Sequence, residues 1–253
     1  MKKQLNIFFT AIQFYTRIPV PGSHHYSSEN LNKATRYFPF IGWIVGGAGA
    51  LVFWLCNHIL SMDLSILISL VSMIVLTGAF HEDAISDFCD GFGGGYTKEQ
   101  ILKIMKDSRI GTYGAIGLIV LLLSKYLLLK EIWAYHIPVL LIVAHAFSRL
   151  NSVLLIFTAQ YVRDDDSGKS KPIGHRNNAL TLIMAILFGI IPLALIEWKI
   201  IPFLLVSQLI LLVYFRYYVR KKVGGYTGDV LGALQQFSEV SFYLVWIIAS
   251  QLI

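Results

Sequence analysis

Apolar runs recur along this chain at about 37 to 60, 64 to 80, 112 to 133, 137 to 160, 179 to 196, 200 to 219 and 230 to 253. Each is near the length a helix needs to cross about 30 Å of hydrocarbon. The pattern predicts an all-α fold: a polytopic integral membrane bundle of about seven transmembrane helices. The turns at Ser61 to Asp63, Tyr135 to Pro138 and Trp198 to Pro202 are short, so the runs they join are expected to be antiparallel hairpins. Leu5 to Tyr15 is too short to span and too apolar for a soluble arm, which predicts an N-terminal interfacial or re-entrant helix.

Composition agrees. The 253 residues are 56% apolar and only 14% charged, against about a quarter charged in soluble domains, which excludes disorder, coiled coil and collagen. The longest polar stretch is 81 to 111, so residues 1 to 253 read as a single integral membrane domain with one sizeable loop. Met1-Lys2-Lys3 leads into a short apolar stretch with no small-residue cleavage site, so the N-terminus is expected to stay. Cys56 and Cys89 lie in unlike surroundings and read as two unpaired thiols.

A net charge of +6 could point to nucleic acid until the cations are sorted by loop. One side holds Lys2, Lys3, Arg17, Lys33, Arg36, Lys98, Lys103, Lys106, Arg109, Arg163, Lys169, Lys171, Arg176, Arg216, Arg220, Lys221 and Lys222, which is 17 of 21. The other has Lys130 and Lys199, while Lys125 and Arg149 fall within runs. The positive-inside rule then puts the N-terminus and long loops in the cytoplasm and the C-terminus outside. The charge is topological, no nucleic-acid partner is implied, and the bilayer is the expected surrounding. Oligomerisation stays open.

The densest chemistry is His81-Glu82-Asp83-Ala84-Ile85-Ser86-Asp87-Phe88-Cys89-Asp90-Gly91, which reads as a direct continuation of the run 64 to 80. At 100° per residue Asp83, Asp87 and Asp90 fall within about 60° of one another. Carboxylates in one stripe repel, and at the C-terminal end of a helix the macrodipole disfavours them further. A bound cation is expected, Mg²⁺ above all, held by Asp83, Asp87 and Asp90, with Glu82 about 100° aside. A solvated acidic helix end is the bland rival. His81 points nearly opposite Asp83, where a lone His is more often structural, and it joins the catalytic candidates with Asp83, Asp87, Lys106 and Arg109.

Gly91-Phe92-Gly93-Gly94-Gly95 is expected to end that helix and let Gly93 and Gly94 approach a substrate. Thr97 and Gln100 make a capping box for a short helix through Lys106. Lys106, Asp107 and Arg109 bring cations back toward the carboxylates, and acid, metal and base in one loop suit phosphoryl transfer. Further substrate-binding candidates are Arg17, Asp229 in the glycine-rich knot 224 to 229, and the in-run polar residues Arg149, Gln235 and Glu239. Arg163 with Asp164, Asp165 and Asp166 forms another polar knot.

Phe14 to Pro19, Phe38 to Gly42, His81 to Gly91, Met105 to Gly114 and Gly224 to Gly232 resemble, in order, the successive motifs of the cobalamin synthase family, the adenosylcobinamide-GDP ribazoletransferases. Ala84 departs from the family pattern, which more often has Gly there. The resemblance implies the last joining step of cobalamin assembly: a ribose hydroxyl of α-ribazole, or of its 5′-phosphate, attacks the phosphate attached to cobinamide in adenosylcobinamide-GDP, and GMP leaves. A similarity to CDP-alcohol phosphatidyltransferases is the runner-up, though no Ala-Arg pair follows Gly91. A cation-coupled transporter using Lys125, His145 and Arg149 is a third reading.

Overall fold

The computed structural model describes residues 2–20, 27–163 and 178–253. Their helices are α1 (Lys2–Tyr15), α2 (Ser28–Ala34), α3 (Phe38–Cys56), α4 (Met62–Thr77), α5 (Phe80–Gly94), α6 (Lys98–Ile104), α7 (Thr112–Lys130), α8 (Ile137–Thr158), α9 (Ala179–Ile190), α10 (Ile201–Val223) and α11 (Gly228–Leu252). Among the described residues there is no strand, only an isolated parallel bridge between Tyr161 and Tyr226.

Local chemistry sets the ends. Pro39, Pro138 and Pro202 open α3, α8 and α10, where a missing N–H costs nothing. Ser61, Asn178 and Thr227 cap α4, α9 and α11 by accepting from backbone amides one turn on. Thr97 and Gln100 form the expected capping box, and the helix they start ends at Ile104.

Every apolar run is helical, but seven equal spans are not what the helices make. Among the described residues the helices long and apolar enough to cross a membrane are Glu29–Cys56, Thr112–Lys130, Ile137–Thr158 and Ile201–Val223, with a fifth if α4 and α5 count as one broken span. α9 has 12 residues and continues only as the 3-10 turn Ile191–Leu195. α11 has 25 residues but gives much of its length to buried polar side chains such as Gln235, Gln236 and Glu239. Run length weighs a helix buried in protein like one facing lipid, so it gives more spans than length and apolarity together do for the described helices.

The lipid-facing surface is plain. α4, α7 and α10 expose Leu67, Val71 and Val75, Ile116, Ile119 and Leu123, and Val206, Ile210 and Val213. Trp133, Tyr135 and Trp198 stand exposed in the short turns, where amphipathic rings suit a headgroup layer. The chain is a helical membrane protein. α8 sits at its centre with most residues buried, including His145, Ser148, Arg149, Asn151 and Ser152. A Cβ at Gly42 would overlap the His145 carbonyl and one at Gly46 the Leu141 carbonyl, so this small-xxx-small pair lets the α3 and α8 backbones touch. α1 buries Ile7, Ala11, Ile12 and Tyr15 against the same core.

The largest departure from the expected course lies between α4 and α5. Gly78 (φ 66°) and Ala79 (φ 57°) both take left-handed backbone, and the chain bends by 88°. α5 is therefore a new helix and not the C-terminal end of the preceding one. Glu82 and Asp83 sit in its first turn, where the macrodipole favours carboxylates, the reverse of the expectation above. The glycines do not end it at once: it runs through Gly94, with Gly95 as its cap.

α5 packs against α11 where Ala84 meets Gly232, whose Cβ, if present, would overlap that of Ala84. This gives the Ala84 departure a partner. Gly232→Ala is expected to lower the melting temperature in detergent, by about 1–3 kcal/mol of overpacking, and adding Ala84→Gly to restore most of it. Equal losses with and without Ala84→Gly would refute the contact.

Candidate active site

α5 carries Asp83 exposed in its first turn and Asp87 half-buried one turn on, both on the side where α11 begins. Asp229 lies in the first turn of α11, after the Thr227 cap. Its position is fixed by a knot of backbone bonds: Tyr226 N–H donates to the Gln160 carbonyl at 2.8 Å and Val162 N–H to the Tyr226 carbonyl at 3.1 Å. Gly225 fits beneath because a Cβ there would overlap the Gln160 carbonyl. Arg163, next along, donates through Nη2 to Asp229 Oδ2 at 2.8 Å and to the Met105 carbonyl at 3.2 Å, tying α11 to the end of α6.

Three carboxylates from two helices therefore share a field. Asp87, which lies on α5 beyond the 88° bend, is pushed up to about 7, first by burial and then by Asp229 and Asp83, against a smaller pull from Arg163. That is the signature of an acidic group short of positive charge. Sequence places Asp229 among the substrate contacts; its nearness to Asp83 and Asp87 has no sequence signal beyond the Thr-Gly-Asp cap before an apolar run.

Asp90 turns elsewhere. Its Oδ2 accepts from Gly111 N–H at 2.7 Å and its Oδ1 from Gly114 N–H at 2.8 Å, at the start of α7. Gly111, Gly114 and Gly117 make a ridge on which Asp90, Ser86 and Cys89 of α5 lie directly. The Ile-Gly-Thr-Tyr-Gly motif is thus explained by close packing. Gly93 lies under the Tyr113 ring.

The cationic loop follows. Arg109 donates to Asp107 from Nε at 3.1 and 3.2 Å and from Nη2 at 2.7 Å. Both face solvent, and Arg109 holds the Asp107 carboxyl down to about 2. The pair borders an open recess of about 520 Å³ lined also by Asp90, Gly94, Ile104, Ile110, Gly111, Thr112 and Tyr113. Lys106 is exposed nearby in sequence. Arg17 is exposed at the bend, its guanidinium crossing Gly78, where a Cβ would overlap Nε.

His81, Glu82, Arg149, Gln235 and Glu239 are buried, and they come together in the interior instead of at the carboxylate face. His81 stacks on Phe38 with ring centroids 5.9 Å apart. Gln236 donates to Glu82 at 3.3 Å. Glu239 takes Lys125 at 2.9 Å, His145 at 3.2 Å and Gln235 at 2.9 Å. Arg149 donates to the His145 carbonyl at 2.9 Å and lies over Phe38. Asp164, Asp165 and Asp166 lie outside the described residues.

Comparison with known proteins converges on one group. The model of the family described as cobalamin-5-phosphate synthase matches residues 7–247. An adenosylcobinamide-GDP ribazoletransferase of Shewanella frigidimarina is 46% identical over 247 residues, covering 96% of this chain and 94% of that protein. Enzymes of the same name from Shewanella oneidensis (43% over 255 residues; 97% and 95% covered) and Vibrio cholerae (42% over 247 residues; 97% and 94% covered) are similar to it as well. No solved structure matches.

Proposed function

This chain belongs to the cobalamin-5-phosphate synthase family, and we propose that it joins adenosylcobinamide-GDP to α-ribazole or α-ribazole 5′-phosphate, releasing GMP, as a Mg²⁺-dependent transferase. A hydroxyl oxygen of the acceptor ribose forms a new bond to the phosphorus attached to cobinamide. The bond from that phosphorus to the oxygen bridging to GMP breaks, GMP leaves with the electron pair, and the hydroxyl proton is released. The observation that carries the reading is the convergence of Asp83, Asp87 and Asp229, crowded enough to raise Asp87 to about 7.

Among the described residues no group of three His, Cys, Asp or Glu is arranged to hold a metal by protein donors alone. Mg²⁺ is typically held by one or two carboxylates with waters and substrate phosphate completing the shell, and an all-oxygen, electron-rich face made by Asp83 and Asp87 fits that habit. Those two would hold it, with Asp229 beside them. When bound, the ion neutralises phosphate charge. Arg163 holds Asp229 in place, and Arg109, oriented by Asp107, offers part of its fork to the pyrophosphate from the recess of about 520 Å³.

The reaction is tested by incubating purified protein in detergent with adenosylcobinamide-GDP, Mg²⁺ and either acceptor, and scoring GMP. Turnover without a sealed compartment distinguishes an enzyme from a carrier, and no GMP with either acceptor would refute the assignment. Arg109→Lys keeps the charge but loses the fork; it should cost about tenfold in kcat/KM if one charge-assisted bond of about 1.5 kcal/mol is lost. Wild-type kinetics in correctly inserted protein would leave Arg109 only a topological role.

The site is proposed to face the cytoplasm from the cytoplasmic membrane. The 17-to-2 loop charge count supports this, and the Lys130 to Asp63 pair at 3.0 Å joins the end of α7 to the start of α4 at the opposite face. A reporter fused after Ile253 should be active only outside. Activity inside would refute seven crossings and favour six or eight, with the N-terminus still in the cytoplasm.

A further inference from the structure

The interior network beneath α5 borders a small cavity of about 20 Å³, walled by α3, α4, α5, α7, α8 and α11. Five polar atoms of its lining residues are buried without a hydrogen-bond partner: His81 Nε2, Glu82 Oε2, Arg149 Nε, Gln236 Oε1 and His145 Nε2, of which the last faces Glu239 Oε1 at 3.2 Å and the other four have no such neighbour. Each belongs to a side chain at most 8% exposed. Buried polar atoms in folded proteins are almost always partnered, by protein or by ordered water. A narrow cavity whose lining residues bring four such atoms from three helices is therefore a binding site for something small.

Size and charge decide what. A water needs roughly 10–15 Å³ of such space, so the cavity takes one water and excludes a phosphate or any part of a nucleotide. A monovalent cation would fit by volume. The network, however, already balances Lys125 and Arg149 against Glu82 and Glu239, and an added cation would leave net positive charge in a region of low dielectric. The unpaired atoms also match water's own complement. Arg149 Nε donates, Glu82 Oε2 and Gln236 Oε1 accept, and His81 Nε2 donates when it carries the ring proton. One water accepts two hydrogen bonds and donates two.

We propose that this cavity is an internal water site that joins the root of α5, through His81 and Glu82, to Arg149 of α8 and Gln236 of α11. The water completes the polar network and holds the helix that bears Asp83 and Asp87 against the bundle. It is a feature of the bundle and stands whatever reaction the cytoplasmic face carries out.

Two methionines provide the test. Met73 lines the cavity and is 4% exposed, while Met105 is 2% exposed in the core beside α6 and lines none of it. Synchrotron hydroxyl-radical footprinting of the purified full-length protein generates radicals from bound water in place, so a buried methionine is oxidised only if water sits beside it. Met73 is expected to be oxidised several-fold faster than Met105. Met73 as silent as Met105 would mean a dry cavity, and equal oxidation of both would mean general solvent entry; either result overturns the proposal. A high-resolution density map showing a metal ion at this position, with short coordination distances, would overturn it as well.

Discussion

Asp87→Asn is expected to cut turnover by about a thousandfold, equivalent to about 4 kcal/mol of transition-state stabilisation, while making the metal-free protein more stable. The two effects have one origin. Burial and the neighbouring Asp229 and Asp83 raise the Asp87 carboxyl to about 7, above its value in the unfolded chain, so folding at neutral pH must hold an anion where anions are already crowded. For a group shifted upward, the stability it contributes is present below the unfolded value near 4 and is lost as pH rises to about 7. Without metal, wild-type protein should therefore melt progressively lower as pH rises through that window, and Asp87→Asn should flatten the profile. Raising Mg²⁺ should recover part of the variant's activity by mass action. Full turnover of Asp87→Asn at limiting Mg²⁺ would remove Asp87 from the metal shell, and an unchanged pH–stability profile would remove the crowding argument.

About half of that site is legible in the sequence. Asp83 and Asp87 are four residues apart, so any helix through them puts both on one face, whether it continues α4 or starts anew. The break between α4 and α5 has a local cause. Gly78 is a readable helix stop, but Ala79 at φ 57° is not, because an L side chain rarely takes that backbone and nothing in an apolar sequence announces it. The bend moved Glu82 and Asp83 from the end of one helix to the start of another. The i, i+4, i+7 stripe also suggested that Asp90 shared the cation, whereas the glycines at 111 and 114, which bring bare amides within 2.8 Å of its oxygens, engage it at α7. Those glycines were in the sequence. Their partner, 21 and 24 positions away, was not deducible from periodicity. The same holds for Arg163 and Asp229, brought together by a backbone bridge of one residue pair.

Glu239 shows the limit most clearly, and it carries the second large effect. In the sequence Glu239 is an acid four residues from Gln235 in an apolar run, and Lys125 stands alone within another. Topology pairs them at 2.9 Å with both side chains buried. Glu239→Gln removes the charge and leaves Lys125 unpaired, so it is expected to cost about 3–5 kcal/mol, as breaking a buried pair from one side typically does. Lys125→Met should cost less, because Glu239 keeps donors from Gln235 at 2.9 Å, from His145 at 3.2 Å and from Tyr243 at 3.4 Å. The double variant, with no unpaired ammonium, should be more stable than Glu239→Gln alone. Thermal unfolding of the four proteins in one detergent closes a double-mutant cycle. Strictly additive losses would mean that the two charges do not support each other, and that the hydrogen bonds around Glu239, not the ion pair, hold α7 to α11.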